Sequence, residues 1–424
     1  MLVKMARFGA KKLRGAFAGM ALSGAVLAGV AGVSVVSLTA APAHAQFGMM
    51  GGGAEMMQDT VTRRGVDAYA RLLEMDKDQK EAALALYEGH QGASRTMQKE
   101  LQDKMAAMQE KMRDGEGFAA MQKEMPAMMK EYTAKGETLE KGFFADLKEL
   151  CTEKQLTRWE SVERYRRREQ GMRFAFVSGS AVDLISVSEK LKAKPVNDSE
   201  YKETIQQYEL EVDKLLVTFE KAGKDAQKDM FEPGAMFDMK RITEMMKKFY
   251  ESAAQVRDVN RNYARKLEPS LTDEDKVKLQ NEVKRRSFPR IYKPSRPQQV
   301  LDAAMGFSDL TPEQRESLKG IKEGYERDTG PINEKWAKAT EEKEEKAGGT
   351  VMMMMQSFQP GGDGDDALKS ARDARKELDE KTSDKIEALL TPEQVTRLPQ
   401  KKAADPNPWS DFMPSQEEEE EKAK

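Results

Sequence analysis

Cysteine and histidine are almost absent from this sequence. Cys151 is the only cysteine among 424 residues, and the histidines are His44 and His90. One cysteine cannot form an internal disulfide, and a structural zinc site needs a set of cysteine and histidine ligands. The sequence therefore excludes a disulfide scaffold and a zinc cage of this kind, and we expect no metal and no cofactor.

Aromatic residues are also scarce, and neither sign of charge dominates. Phe, Trp and Tyr make up 7% of the chain and Asp, Glu, Lys and Arg 34%, with a net charge of −3. This balance excludes a nucleic-acid binder that works through bulk positive charge. The sequence also lacks a glycine-rich phosphate loop, a Gly-x-Ser-x-Gly elbow and a metalloprotease helix motif. We therefore expect neither a nucleic-acid partner nor an enzyme.

Long apolar runs are missing except near the N-terminus. Residues 1–14 are basic, residues 15–41 are apolar or small, and Ala43-His44-Ala45 precedes Gln46. This order is typical of a secretory signal peptide, which we predict at 1–45 with cleavage between Ala45 and Gln46. The expected location is the periplasm or the exterior. The alternative is an N-terminal membrane anchor, because about 20 apolar residues span a bilayer.

A short motif recurs along the rest of the chain. Leu310-Thr311-Pro312-Glu313-Gln314 returns as Leu390-Thr391-Pro392-Glu393-Gln394, and four weaker copies occur. In each copy a helix-capping residue is followed three residues later by Gln, Glu or Asp, as in a capping box, so each predicts a helix start. The cap pairs are Asp76 and Gln79, Thr152 and Gln155, Asn197 and Glu200, Thr272 and Asp275, Thr311 and Gln314, and Thr391 and Gln394.

The spacing of the caps divides the chain into three tandem units. Successive caps pair at intervals of 75 to 80 residues, and the second cap of each pair recurs after 119 or 120 residues. Proline-rich, glycine-rich and acidic stretches mark the remaining segments. The predicted segments are a Gly/Met tether at 46–60, helical units at 61–170, 176–288 and 298–400, a Pro-rich linker at 289–297 and a disordered acidic tail at 401–424.

Within each unit the apolar residues follow a helical period. In the second unit they step by three and four residues along 205–219 and again along 242–267. This is the narrow stripe of a coiled-coil seam. In the first unit the stripe consists mostly of methionines and breaks near Gly115, where we expect a hairpin turn. Pro126 indicates a kink or a late start of the second helix. The predicted fold class is all-α, with three tandem long helical hairpins, coiled-coil-like seams and an elongated shape.

These motifs resemble those of a known family, the Spy/CpxP periplasmic stress chaperones. The similarity lies in two Leu-Thr-x-x-Gln-like motifs per unit, the methionine-bearing hairpin between them and a basic helix such as 163–168. It covers most of residues 66–400, and both motifs are intact only in the third unit. The resemblance implies paired helical hairpins that form a concave cradle and bind unfolded proteins without ATP. Family members are usually single units that dimerise, whereas this chain is a fused triplet.

Many of the 28 methionines cluster in the middle of the units. Seam packing is the simplest interpretation, and contact with client proteins and binding of Cu(I) by thioethers are alternatives. Four consecutive methionines cannot all face one side of a helix, so some of residues 352–355 must be exposed. The candidate client contacts are Met121, Met125, Met129, Met239, Met245, Met352, Met353, Met354 and Met355.

Cys151 and the basic clusters have structural interpretations with functional alternatives. Cys151 replaces the Leu of its cap motif, which indicates a small buried hydrophobe, and a cross-link between two chains is the alternative in an oxidising compartment. Residues 164–168 and 284–286 are predicted to complement the dipoles at helix C-termini. Contact with acidic clients or a lipid surface is the alternative for these basic residues.

Three functions follow from these patterns. The first is a periplasmic, ATP-independent holdase that binds exposed apolar segments of unfolded proteins on a methionine-lined face. The second is a structural or signalling envelope protein that docks onto the helices of a partner. The third is a metal-stress sensor of the same family. A homodimer and a weak contact with a membrane surface are left open, as is the identity of the client.

Overall fold

The structure is a computed structural model that describes residues 60–113, 117–173, 175–230, 232, 238–349, 353 and 366–400. The predicted signal peptide, nearly all of the predicted tether and the acidic tail lie outside the described residues. Within the described part the regular elements are helices, and the only β-type pairing is an isolated bridge between Pro195 and Leu271. The predicted all-α class is confirmed, and the elongated shape stays a prediction.

The first hairpin is built from α1, Arg63–Leu72, α2, Lys77–Arg113, α3, Gly117–Glu149, α4, Glu153–Leu156, and α5, Trp159–Gly171. The long helices α2 and α3 pack against each other, and α1 and α5 cover the end where the caps lie. We call this end the base. Its buried core is aromatic and aliphatic and consists of Val61, Val66, Tyr69, Leu73, Ala83, Phe143, Phe144, Leu147 and Val162.

The second hairpin has the same order of a short helix, two long helices and a closing helix. It is built from α6, Leu184–Leu191, α7, Asp198–Met230, α8, Met239–Leu267, a 3-10 turn, Glu268–Ser270, and α9, Asp273–Ser287. Its core includes Met172, which follows α5 in the chain, so the cores of the first two hairpins meet near this residue. The largest fully buried side chains of this core are Leu184, Tyr208, Leu216 and Leu267.

The third hairpin is built from α10, Pro289–Tyr292, α11, Arg296–Met305, α12, Pro312–Ala347, α13, Asp366–Leu389, and α14, Pro392–Thr396. Helices α12 and α13 are its long arms, and α11 packs on both. Its buried core again lies at the base and consists of Val300, Leu301, Ala304, Leu310, Leu318, Ile386, Leu390 and Leu398.

Most helices begin where their caps predict. Helix α2 starts one residue after Asp76, and α9 starts one residue after Thr272. Thr152, Thr311 and Thr391 form complete capping boxes in which the threonine side chain accepts a backbone N–H and the glutamine three residues later accepts the threonine N–H. These caps satisfy backbone donors that the first turn of a helix cannot pair internally.

Two details of the chain differ from the sequence prediction. Helix α3 begins at Gly117 and continues through Pro126, so the late start is wrong. The predicted Pro-rich linker at 289–297 contains the short helix α10, which the sequence did not predict, and Ile291 in this helix is buried. Proline at the first helical position of α10 lacks the N–H that would be unpaired there, so the linker folds as a short turn.

Candidate functional site

The two caps of the first hairpin contact each other through their glutamines. The Gln79 side-chain oxygen accepts the Asp76 N–H at 3.0 Å, and the Gln155 side-chain oxygen accepts the Thr152 N–H at 2.8 Å. Gln79 Nε2 lies 2.9 Å from Gln155 Oε1, and Gln155 Nε2 lies 2.8 Å from Gln79 Oε1. We call these two residues the glutamine pair. Each member closes its own capping box and donates to its counterpart, so two helix starts 76 residues apart are joined.

The glutamine pair also binds the ends of the preceding helical segments. Gln79 Nε2 donates to the Leu150 carbonyl at 2.7 Å, and Gln155 Nε2 donates to the Glu74 carbonyl at 3.1 Å. Carbonyls at helix C-termini have no partner within their own helix. The two amides therefore supply partners for two helix ends as well as two helix starts, and they close the base of the hairpin.

The third hairpin repeats this arrangement. Gln314 Nε2 donates to Gln394 Oε1 at 3.1 Å and to the Leu389 carbonyl at 3.0 Å. Gln394 is buried and donates to the Asp309 carbonyl at 3.3 Å. Arg397 adds an ion pair with the Asp309 carboxylate at 2.6 Å, which lowers the pKa of that carboxyl group. Sequence reasoning identified these residues as caps but did not predict that the caps contact each other.

The base of the second hairpin closes differently. It has Asp275 at the position of the second glutamine, and this carboxylate accepts the Lys194 N–H at 3.0 Å. That hydrogen bond lowers the pKa of Asp275. The Val196 N–H donates to the Ser270 carbonyl at 2.8 Å, so a backbone bridge replaces the side-chain contact. Val196 itself is 65% exposed.

The candidate client-contact methionines occupy different environments. Met125 and Met353 are buried, and Met129 and Met245 are half-buried. Because Met125 and Met353 are buried in this conformation, they do not belong to the exposed client-binding face that was predicted from the sequence. The structure does not describe the side chains of the other five candidates, which are Met121, Met239, Met352, Met354 and Met355.

Three buried methionines fill the first hairpin away from its base. Met108 on α2 and Met125 and Met128 on α3 are buried, and none of them belongs to the aromatic core of the base. We call these three residues the methionine seam. Lys104 and Glu131 form an ion pair across the hairpin at 2.8 Å, with both side chains about half exposed. The hydrogen bond from Lys104 lowers the pKa of Glu131.

The basic run of α5 joins the first hairpin to the second. Arg167 binds both carboxylate oxygens of Asp213 on α7, at 2.7 and 2.9 Å. Arg168 is 3% exposed and binds Glu209 at 2.6 Å, while Arg164 contacts the other oxygen of Glu209 at 3.2 Å. These contacts give the arginines a different role from the one expected at a helix end, because they fix the position of α5 on α7.

A second polar joint connects α12 to the second hairpin. The Glu344 carboxylate accepts the Ser178 N–H at 3.0 Å and the Ser178 hydroxyl at 2.8 Å, and both residues are buried. Arg261 on α8 forms an ion pair with Glu341. Gly349 ends this region with a φ of +115°, and a Cβ there would lie 3.2 Å from a backbone carbonyl oxygen, so the chain requires glycine.

A buried arginine network holds the third hairpin together. Arg375 Nε donates to Asp379 at 2.9 Å, Arg375 Nη2 donates to the Tyr325 hydroxyl at 3.1 Å, and Arg375 also binds Asn333. The Tyr325 hydroxyl donates to Asp379 at 2.5 Å. Sequence reasoning missed this cluster. The spacing of four residues between Arg375 and Asp379 was the only signal, and such pairs are common on exposed helices.

His90 and Cys151 do not converge on a metal site. The His90 ring packs 5.5 Å from the ring of Phe143, and the Cys151 Sγ lies 3.3 Å from the Leu147 carbonyl oxygen. Burial raises the pKa of the Cys151 thiol. Among the residues that the structure describes, no group of three or more His, Cys, Asp or Glu side chains is placed to hold a metal ion. No helix in the described ranges is long and apolar enough to cross a membrane.

Comparison with known proteins identified no relative. No family model, no curated protein and no solved structure matches the chain. The similarity to the Spy/CpxP family therefore stays a prediction from the short motifs. The interpretation of function depends on the geometry of the hairpins.

Proposed function

We propose that this protein is a periplasmic, ATP-independent holdase that binds exposed apolar segments of unfolded proteins. The single observation that carries the proposal is the separation between the aromatic core of the base and the methionine seam in the first hairpin. The amino-terminal export pattern supports the periplasmic location. In this proposal the client contacts the seam after the arms of the hairpin separate.

The chemistry of methionine supports a seam that repacks around different clients. Its side chain is unbranched and polarisable, and it adapts to irregular surfaces better than Leu or Phe. Lys135 on α3 forms a further ion pair across the hairpin with Glu100 and another with Glu131 on its own helix, and all three side chains are about half exposed. Exposed ion pairs contribute about 0–1 kcal/mol each, so they oppose separation of the arms only weakly.

The base remains closed when the arms separate, because aromatic packing and side-chain hydrogen bonds hold it together instead of exposed ion pairs. Tyr69 and Phe143 each pack against Phe144 with ring centroids 5.6 and 5.3 Å apart. The glutamine pair adds hydrogen bonds between the two ends of the hairpin. The arrangement therefore combines a stable base with arms that open at low cost.

A cross-link between the arms tests this proposal. In a Cys151→Ser background, Lys104→Cys and Glu131→Cys place thiols on α2 and α3 at an existing contact across the hairpin. A short bis-maleimide then ties the arms together. We expect the cross-linked protein to lose most of its ability to suppress light scattering by an aggregating client. The same variant capped with N-ethylmaleimide retains that ability.

A cross-link at the base of another hairpin is the matched control. Asp302→Cys and Lys322→Cys replace an ion pair of 2.8 Å between α11 and α12, where the arms do not need to move. This cross-link is expected to leave suppression unchanged. Full suppression by the protein with tied first-hairpin arms would contradict the proposal, and absence of suppression in every sample would remove the holdase function altogether.

A further inference from the structure

The packing of α2 changes between the base and the methionine seam. Tyr87 is the last apolar residue of α2 that packs against the aromatic core of the base. In the fully described stretch 84–107 no apolar side chain is buried, and apolar burial resumes at Met108. A helix of this length spans about 36 Å. Over that distance α2 is held by half-buried side chains and exposed ion pairs.

Two glycines lie where α2 leaves the base. Gly89 and Gly92 are exposed, and a Cβ on either would meet nothing within 4 Å. Neither has a positive φ, so neither a close approach nor a left-handed backbone requires glycine at these positions. Glycine inside a helix is less stable than alanine, because it loses more conformational freedom on folding. The two glycines therefore weaken α2 at this level.

Thr96 weakens the same part of α2. Its hydroxyl donates to the Gly92 carbonyl at 3.0 Å. A threonine that bonds back to the carbonyl four residues earlier slightly destabilises a helix and often bends it. On the base side, Gln91 Nε2 donates to the Val61 carbonyl at 3.4 Å. The weak turns thus begin at the last level where the base still holds α2.

Helices α5 and α7 hold α3 in place. The Glu140 carboxylate on α3 accepts a hydrogen bond from Gln170 of α5 at 3.0 Å. The Thr133 hydroxyl accepts one from Gln227 of α7 at 3.1 Å. Thr133 lies five residues from Met128, which is about 7.5 Å along the helix. The extensive packing of α2, in contrast, is with α3 and, at the base, with α1.

We propose that Gly89 and Gly92 form a hinge about which the outer part of α2 moves away from α3. We call these two residues the glycine hinge. Because α3 stays fixed on α5 and α7, opening uncovers Met125 and Met128 on a stationary surface, and Met108 moves with α2. The inference rests on the proposed holdase function, since it specifies how the methionine seam opens to a client.

Labelling of a buried thiol tests the glycine hinge without any client. In a Cys151→Ser background, Met108→Cys places a thiol in the buried seam, where it reacts with N-ethylmaleimide only through local opening. Gly89→Ala with Gly92→Ala should slow this labelling about five- to thirty-fold, because alanine stabilises the helix at both positions. Met128→Cys provides the same measurement on α3 should Met108→Cys fail to fold.

Two other glycines supply the matched control. A Cβ at Gly142 or Gly320 would also meet nothing within 4 Å. Gly142 lies in α3 and Gly320 in α12, so Gly142→Ala with Gly320→Ala should keep the labelling rate of the parent. Equal rates in the parent and the Gly89→Ala, Gly92→Ala protein overturn the hinge. Equal slowing by the control pair overturns it as well.

Distances between spin labels show which helix moves. In the Cys151→Ser background, Asp103→Cys on α2 and Lys130→Cys on α3 are each paired with Lys221→Cys on α7, and all three positions are exposed. The probe is reduced and carboxymethylated lactalbumin, a permanently unfolded polypeptide. Its binding should lengthen the distance from α2 to α7 and leave the distance from α3 to α7 unchanged.

The other outcomes separate the hinge from the holdase function. A longer distance from α3 to α7, or no change in either distance while the polypeptide is bound, overturns the hinge. A polypeptide that does not bind contradicts the holdase function alone, and the labelling rates then still decide whether α2 opens at Gly89 and Gly92.

Discussion

The glutamine pair shows how one residue type serves two purposes at the base. In an ordinary capping box, the side chain at the third helical position reaches back only to its own cap. Here Gln155 also donates to Gln79 and to the Glu74 carbonyl. A glutamate would close the capping box equally well but has no N–H to donate. The amide is therefore required for the contact between caps, and the cap alone does not explain it.

We expect Gln155→Ala to destabilise the protein by about 1–3 kcal/mol. The substitution removes a capping interaction and leaves the amide of Gln79 without its counterpart. Urea unfolding followed by circular dichroism measures the change. Gln206→Ala, on the exposed side of α7, is the control and should change the free energy of unfolding by less than about 0.5 kcal/mol. Equal effects of the two substitutions would show that the glutamine pair adds nothing to stability.

Two glycines of the first hairpin should respond to alanine in opposite directions. A Cβ at Gly65 would lie 2.9 Å from Glu169 Oε2 and 3.2 Å from the oxygens of Thr62 and Tyr69, whereas a Cβ at Gly89 would meet nothing within 4 Å. We expect Gly65→Ala to destabilise by about 1–3 kcal/mol through overpacking. Gly89→Ala should stabilise by about 0.5–1 kcal/mol, because glycine is a poor helix former. Thermal unfolding distinguishes them, and a rise in Tm for both would contradict the packing around Gly65.

Because of Glu282, the free energy of unfolding should depend on pH in the acid range. Burial opposes its charged form, but hydrogen bonds from Arg285 and Arg286 outweigh burial and lower the pKa of Glu282 from 4.5 to about 2. The folded pKa is below the unfolded one, so the stabilisation is complete above about pH 4.5 and is lost as the pH falls towards 2. It amounts to at most about 3 kcal/mol.

Glu282→Gln should reduce this acid dependence. The variant is expected to be less stable than the parent at pH 7 and closer to it at pH 2.5, as measured by urea unfolding at both pH values. Glu251→Gln, at an exposed position on α8, serves as the control and should keep the parent's slope. A constant difference between parent and Glu282→Gln across this pH range would show that the carboxylate does not carry the dependence.

At the scale of helices, local sequence motifs predicted well where each helix begins and predicted poorly which helices contact each other. Thr311 and Thr391 marked their helices because a capping box is a contact within four residues. Pro126 predicted a kink or a late start of α3, and the late start is wrong because α3 begins at Gly117 and includes Pro126. The role of Arg167 and Arg168 also depends on acids more than 40 residues away in sequence. Nothing local distinguishes that role from a helix-end interaction.

The joint between α5 and α7 should show strong coupling between its charges. Arg167 and Asp213 make two parallel hydrogen bonds and are less than one-fifth exposed. Removing either partner leaves the other poorly solvated, so the single substitutions overlap in effect. A double-mutant cycle with Arg167→Ala and Asp213→Ala should give a coupling free energy of about 1–3 kcal/mol. Additive effects would mean that the two side chains act independently and that the joint depends on apolar contacts.

At the scale of the molecule, the caps in the sequence predicted where long helices begin but not how the hairpins are joined. The buried residues of the base occupy corresponding positions in the repeats, so a pattern in the sequence is enough to reveal them. The contacts that join one hairpin to another, such as the hydrogen bond between Ser178 and Glu344, do not recur along the chain. The second hairpin also replaces its glutamines with Asp275 and a backbone bridge, so the pattern of the other two did not extend to it.

The contrast between base and seam should be visible in amide hydrogen exchange. Helices α2 and α3 are continuous from the base into the seam, so hydrogen bonding alone predicts no difference along them. Buried apolar contacts do differ, because residues near Leu147 pack in the aromatic core and most residues along 97–107 are exposed or half-buried. Amides with fewer buried contacts exchange through local opening at lower free energy.

We expect amides at 97–107 and 124–135 to exchange at least tenfold faster than those at 80–87 and 143–149, which corresponds to an opening free energy lower by about 1.4 kcal/mol. Mass spectrometry of peptides from the native protein measures this difference. Adding a permanently unfolded client should slow exchange in the seam and leave the base unchanged, because a client that binds the separated arms restores buried contacts there. Uniform exchange along both helices, or protection by the client only at the base, would place any client-binding surface outside the methionine seam.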